Sequence, residues 1–289
     1  MKVIAGSASV GLARELAITM AAEFVEVAYE KHPGGFPDGE RYVRVMDALA
    51  GESVSVIATT HPDPKIVELL LLLDAVRDLR PRRLTLVIPY FGYGRQDKRF
   101  ETGEALSARA LARHLSEGVD EVLTMGLHDP DILKFFDAPA REVSGMPAVG
   151  RFLKTRDVDF LLAPDGGAVR HAKEAAAVSG KPWDALEKTR IDSYTVRFEP
   201  KRLDVRGRRV AIIDDLISTG GTVALAAKEL RAQGAKHVLV AALHGLFVGN
   251  AWDKLAVCDE VASSDTIPSR ATKFSVAPEF AGAIKSSRP

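Results

Sequence analysis

The sequence predicts an α/β chain whose two halves each carry a mostly parallel sheet flanked by helices. Three observations predict it. β-Branched apolar runs alternate with helical patterns along the chain. Most of those runs are continuously apolar, as in strands covered on both faces, and do not alternate with polar residues. The order strand, polar turn, helix also recurs before and after SGMPAVG (144–150), where Gly, Pro and Ser cluster. That cluster divides the chain into expected domains 1–145 and 146–289.

Taken in order, KVIAGS (2–7), SVSVIATT (53–60), LTLVIPY (84–90) and EVLTMG (121–126) read as strands of the first half. FLLAP (160–164), RRVAIID (208–214) and HVLVAAL (237–243) read as strands of the second. ALSARALARHLSE (105–117), GAVRHAKEAAAVS (167–179) and the stretch from Val223 to about Gln233 have helical spacing, and Gly234 suits the position just past a helix end. IVELLLLLDAV (66–76) is interrupted by Glu68 and Asp74 and is too short to span a bilayer. Being apolar nearly all round, it is expected in the core or at a subunit contact.

With 289 residues, 46% hydrophobic and 27% charged, the chain has enough apolar material for one large or two medium domains. Its 39 basic and 39 acidic residues balance, so nothing in the charge points to a nucleic-acid partner or a membrane surface. Cys258 is the single cysteine and excludes an intrachain disulfide. No leader with basic, apolar and small-residue regions opens the chain, and a cytoplasmic protein is expected.

The most informative stretch is VAIIDDLISTGGTVALAAKEL (210–230). Asp214 and Asp215 are expected where a buried strand leaves the sheet, at the carboxyl end where open α/β sheets bind ligands. Ser218, Thr219, Gly220, Gly221 and Thr222 then lead directly into a helix. Small residues at a helix N-terminus gather free N–H groups, hydroxyls and the positive end of the helix dipole, a combination that holds phosphate. An ordinary capped helix after a strand fits STGGT equally well on its own. The two acids add a requirement, because carboxylates beside a phosphate need a cation or a sugar diol between them. A phosphorylated sugar meets both demands, and no GxxxxGK[ST] loop of the Walker type is present.

Other stretches carry charge in glycine-bearing turns. FPDGE (36–40) presents Asp38 and Glu40 around Gly39 and suits an amino group or ribose hydroxyls, or is simply an acidic turn before RYVRV. PYFGYGRQDKRF (89–100) sets Arg95 and Gln96 among aromatics after a strand, as a phosphate-binding or a solvated basic loop. In GLHDPD (126–131), Asp129 and Pro130 fit the N-cap and first position of a helix through Phe136, while His128 fits either a turn histidine or a metal ligand. APDGG (163–167) holds Asp165, and EKTRIDSYTVRF (187–198) holds Lys188 and Arg190 with side chains expected on one side of an extended segment.

The pattern Asp-Asp, two apolar residues, a small polar residue and Thr-Gly-Gly-Thr resembles the phosphoribosyl diphosphate motif of the type I phosphoribosyltransferase fold. Together with FPDGERYVRV, PYFGYGRQDKRF, GLHDPDILKFFD, APDGGAVRHAK and SSDTIPSRATKFSVAP (263–278), the resemblance extends over nearly the whole chain, to the ribose-phosphate diphosphokinase family. It implies two tandem phosphoribosyltransferase-like domains and Mg²⁺-dependent diphosphoryl transfer from ATP to ribose 5-phosphate. It further implies that Phe36, Asp38, Gly39, Glu40, Arg95 and Gln96 bind ATP, that His128 and Asp165 attend the metal, and that Lys188 and Arg190 are catalytic. Arg190, Asp214, Asp215, Ser218, Thr219, Gly220, Gly221 and Thr222 would bind ribose 5-phosphate, in a homo-oligomer built from dimers. The family usually has Asp where this chain has Gly126, and often an acid where it has Ser218. A phosphoribosyltransferase gives no reason for FPDGE, RQD and Lys-Thr-Arg to occur together, and a noncatalytic regulatory homologue should have lost the loop chemistry.

Overall fold

The structure is a computed structural model that describes residues 1–30, 36–186, 188–190, 196–198 and 203–287. The chain forms two compact units. The first comprises Met1–Ser144 and Ser275–Pro289, and the second Gly145–Phe274.

In the first unit the elements run β1 (Lys2–Ala5), α1 (Val10–Met20), β2 (Glu23–Val25), β3 (Val27–Ala28), β4 (Arg44–Val45), β5 (Ser53–Ile57), α2 (Pro64–Asp78), β6 (Arg83–Ile88), α3 (Ser107–Ser116), β7 (Glu121–Met125) and β8 (Ala140–Val143). A six-stranded sheet has the order β2-β1-β5-β6-β7-β8, with every pairing parallel. One face is covered by α2 and α3. Leu69, Leu72, Leu73 and Val76 of α2 and Ala108, Ala112 and Leu115 of α3 pack with Ile4, Val56, Leu86 and Val122 of the strands. Each such large apolar side chain contributes about 1.5–3 kcal/mol by burial. Helix α2 is only half enclosed, since Val67, Leu70 and Leu71 face outward. Within RYVRV only Arg44–Val45 is strand, paired antiparallel with β3.

The second unit contains α4 (Met146–Lys154), β9 (Phe160–Ala163), α5 (Val169–Ser179), β10 (Trp183–Ala185), β11 (Lys188–Arg190), β12 (Val196–Phe198), β13 (Arg209–Ile217), α6 (Gly221–Ala232), β14 (His237–Gly245), α7 (Ala251–Leu255), β15 (Glu260–Ser264) and β16 (Thr272–Phe274). Its six-stranded sheet has the order β10-β9-β13-β14-β15-β16, again with parallel pairings. Val210, Ile212, Val238 and Val240 meet Val223, Ala226, Ala227 and Leu230 of α6 in one core. Gly234, at φ +91°, follows α6 as the sequence suggests.

Helix α8 (Ala277–Ser286) belongs to the first unit, although it follows the second in sequence and falls within the expected domain 146–289. Ala277, Phe280, Ala281 and Ile284 form its buried face, and it packs on α1. Its end is latched by Glu121, which accepts from Arg141 Nη2 at 2.9 Å, Arg83 Nη2 at 3.0 Å and Ser287 Oγ at 2.8 Å. Burial opposes ionisation of Glu121, but the Ser287 hydroxyl and the Arg141 and Arg83 guanidinium groups outweigh it and hold the carboxyl below its ordinary value.

Candidate active site

The ligand edge of the second unit is built by a strand that outruns its neighbour. β9 ends at Ala163, and its pairing with β13 ends at Ile212↔Leu162. On the other side β13 stays paired with β14 through Asp214↔Ala242, Leu216↔His244 and Ile217↔Gly245. Asp214 and Asp215 are therefore still part of the strand, not at its exit, and the β9 side of the pair is open to the turn after β9. In that turn Asp165 accepts from Gly167 N at 3.0 Å and Ala168 N at 3.3 Å, capping a 3₁₀ turn over Gly166–Ala168.

Asp165, Asp214 and Asp215 thus come together. Withdrawal from solvent, and then the charge of Asp215 and of Asp165, push the Asp214 carboxyl well above its ordinary value, while Asp215 N–H donates to Asp214 Oδ1 at 3.0 Å. A group held this way ionises readily only when positive charge or hydroxyl donors arrive.

Directly beyond, Ser218 to Gly220 bend into α6. Gly220 has φ +72° and serves as the N-cap, and no side chain caps this helix. The N–H groups at its start have no partner one turn earlier, so an anion placed there meets several donors and the helix dipole. Gly220 is closed in: a Cβ there would lie 3.2 Å from Leu255 Cγ and 3.3 Å from Ala251 O. Gly221 is open, with only Thr219 Oγ1 at 3.9 Å from such a Cβ. Thr219 is exposed, and Ser218 and Thr222 are half-buried at the rim.

In the first unit, Asp129 accepts from Asp131 N at 2.9 Å with Pro130 next, as expected, although the turn over Pro130–Phe135 is 3₁₀ and not α-helical. His128 is exposed just before it, after Gly126 at φ +59°. The FGYG turn lies against this histidine, since a Cβ at Gly94 would be 3.7 Å from His128 Cβ. Arg95 is exposed beside it, and Gln96 reaches Lys98 O at 3.3 Å and Glu104 Oε2 at 3.4 Å. The FPDGE turn is held locally, with Gly39 N to Phe36 O at 3.0 Å, Glu40 N to Asp38 Oδ1 at 3.1 Å and Phe36 edge-on to Tyr42. Gly39 takes φ +84°, which explains a glycine at that place.

Lys188 and Arg190 fall on β11, which pairs antiparallel with β12 through Lys188↔Phe198 and Arg190↔Val196. Their side chains lie outside the described residues. Reasoning from the motif did not find the segment after β14, where Leu246, Phe247 and Val248 bond to the carbonyls that open the STGGT turn. Nor did it find the role of SSDT: Ser264 and Thr266 are buried, and Thr266 Oγ1 lies 2.9 Å from His244 Nδ1. The hydroxyl-rich composition of SSDT was the only local signal.

Among the described residues, no group of three or more His, Cys, Asp or Glu side chains is arranged to hold a metal ion, and no helix is long and apolar enough to cross a membrane.

Residues 1–118 match the family described as the N-terminal domain of ribose phosphate pyrophosphokinase, and residues 148–272 match the phosphoribosyl transferase domain. The chain is 40% identical over 291 residues to the ribose-phosphate pyrophosphokinase of Methanopyrus kandleri, covering 99% of each. It is 39% identical to that of Methanothermobacter thermautotrophicus over 288 residues, 98% of this chain and 99% of the relative. Among solved structures it is similar to phosphoribosylpyrophosphate synthetase from Mycobacterium smegmatis, with TM-score 0.80, 31% identity, and coverage of 99% of this chain and 97% of that one.

Proposed function

The chain belongs to the ribose-phosphate pyrophosphokinase family, and from that premise we propose that it transfers the β,γ-diphosphoryl group of ATP to the C1 hydroxyl of ribose 5-phosphate. The products are 5-phosphoribosyl 1-diphosphate and AMP. The observation that carries the assignment of the sugar site is the uncapped start of α6, with Gly220 in the left-handed region, next to the Asp214–Asp215 pair.

In this reading the N–H groups and hydroxyls of Ser218 to Thr222 receive the 5-phosphate. Asp214 and Asp215 accept hydrogen bonds from the ribose hydroxyls, which orients the C1 hydroxyl towards the β-phosphorus. Phe36, Asp38, Gly39 and Glu40 take the base and sugar of ATP, and Arg95 and Gln96 its phosphates. Lys188 and Arg190 bring positive charge to the diphosphoryl group, and Arg190 also reaches the sugar phosphate. Transfer of this kind needs alignment and charge neutralisation more than a covalent intermediate.

The residues also fit Mg²⁺. Burial and the nearby charges of Asp215 and Asp165 hold the Asp214 carboxyl well above its ordinary value, a strain that a hard divalent cation would relieve. Mg²⁺ takes few protein ligands and completes its shell with phosphate oxygens and water. His128 and Asp165 would attend it, and it would neutralise charge on the β- and γ-phosphates. The outward-facing Val67, Leu70 and Leu71 of α2 support a homo-oligomer built from dimers. We place the reaction in the cytoplasm.

The test is chromatography of nucleotides after incubation with Mg²⁺-ATP, with and without ribose 5-phosphate. AMP formed only with the sugar, in equal amount to phosphoribosyl diphosphate, is the expected result. ADP would mean γ-phosphoryl transfer and would reject the reading.

A further inference from the structure

The STGGT turn is walled by chain that its motif does not include. After β14, the N–H groups of Leu246 and Phe247 donate to Ile217 O at 2.9 and 3.2 Å, and Val248 N–H donates to Ser218 O at 3.0 Å. These bonds fix the two residues from which the turn departs. From a second direction α7 touches the turn at its tightest point, where Leu255 and the Ala251 carbonyl close on Gly220.

Phe247 joins the two walls. Its φ is +50°, a left-handed conformation that a bulky side chain adopts only when its surroundings impose it. Its ring stacks on Trp252 of α7, with centroids 4.4 Å apart and planes 28° from parallel. The Arg270 guanidinium lies 3.6 Å from the centre of the same indole. It cannot share the face that Phe247 occupies, so both faces of Trp252 are covered. An indole covered on both sides offers no platform for a base. What remains for it is to hold Phe247 and α7 together.

We propose that Trp252 is a positioning residue for the sugar-phosphate turn: through Phe247 and α7 it sets the direction of the N–H groups at the start of α6. The proposal rests on the reading that this turn receives the 5-phosphate. A small misplacement of a donor cradle weakens the ligand it holds and leaves distant substrate contacts untouched. The expected signature is therefore confined to one substrate.

The experiment is steady-state kinetics for both substrates with the full-length protein, together with thermal melting, on Trp252→Ala, Trp252→Phe and Gly221→Ala. Trp252→Ala raises the KM for ribose 5-phosphate about tenfold and leaves kcat and the KM for ATP within about twofold. Trp252→Phe, which still stacks, returns the KM to near its original value. If Trp252→Ala does not fold, Trp252→Leu keeps apolar volume without the ring and carries the same expectation. An unchanged sugar-phosphate KM in a cooperatively melting Trp252→Ala or Trp252→Leu protein overturns the proposal. Gly221→Ala separates the two failures. If it raises that KM while the Trp252 variants do not, the positioning role alone is rejected; if it too leaves the KM unchanged, the turn is not the phosphate site and both readings fall.

Discussion

The two units share one strand order, and equivalent junctions in them have opposite chemistry. β5 leads to α2 in the first unit as β13 leads to α6 in the second. Near its end β13 carries two carboxylates, and hydroxyls and glycines lead from it into α6. After β5 come Ala58, Thr59, Thr60, His61, Pro62 and Asp63, then Pro64, which has no N–H to offer an anion. The Thr59 and Thr60 hydroxyls are spent on Tyr90 O, each at 3.3 Å.

The neighbouring turns differ in the same way. The turn after β9 holds Asp165 beside the acidic pair. The turn after β1 is filled by Glu68 of α2, only 2% exposed, which accepts from Ser7 N and Ser7 Oγ at 2.8 Å and from Lys65 Nζ at 3.0 Å. At this junction the first unit supplies its own anion, which engages Ser7 and Lys65. Sheet topology therefore creates the edge at which a ligand can bind, and the composition of two short loops decides whether one does.

The comparison breaks most visibly at Asp214. Asp214→Asn is expected to lower kcat/KM about a thousandfold, since in the proposed reading its carboxylate acts with Asp215 on the reacting sugar. The same substitution should raise the melting temperature by a few degrees at neutral pH. The sign follows from the raised folded value: protonation is tighter in the folded state, so the stability linked to this group is full below the unfolded value and is lost as pH rises through the folded one. The gain in Asp214→Asn should accordingly vanish when melting is measured below the ordinary carboxylate range.

Next in size, Lys188→Ala is expected to lower kcat at least about a hundredfold, the loss typical of one charge-stabilising donor. Single-turnover assays with saturating substrates check it, and near-normal turnover removes Lys188 from the mechanism. Gly221→Ala should raise the sugar-phosphate KM about tenfold without lowering the melting temperature, because its methyl meets only Thr219 Oγ1 at 3.9 Å in the free protein. Gly220→Ala should instead destabilise the fold, having both positive φ and no room. A paired melt of the two variants tells them apart.

The smallest effect on catalysis is expected in the first unit. Glu68→Gln leaves kcat and both KM values within about twofold, yet costs about 2 kcal/mol of stability by removing the charge that Lys65 and Ser7 share. Urea unfolding measures the cost, and a large loss of turnover at full folding would show that this junction also serves the reaction.

Much of the fold was legible because each of the seven expected strands is a local apolar run whose covering on both faces the sequence itself encodes. The helices expected over 105–117, 167–179 and 223–233 also formed, within a few residues at their ends, whereas the one expected through Phe136 is 3₁₀. The short edge strands β2, β8, β10 and β16 carry no comparable run, and their pairing depends on a neighbour that local pattern does not specify. In the candidate site, STGGT and the acidic pair stand out in the sequence because adjacent carboxylates followed by hydroxyls and glycines ask for more than a helix cap. Phe247 was not legible, since nothing in GLFVGN announces a left-handed phenylalanine.

By itself, then, the sequence determined the α/β class, the two-part order and the composition of the loop after β13, all of which depend on neighbours within a few residues. Tertiary structure alone decided that α8 returns to the first unit, where Arg141 and Glu121 hold its end. It also decided that Asp214 is reluctant to ionise, and that Glu68 fills the turn that Asp165 leaves acidic in the other half. Those outcomes depend on how distant parts of the chain meet: an apolar face records that it will be covered but not by what, and a carboxyl's charge is set by how deeply the fold buries it as well as by its neighbours.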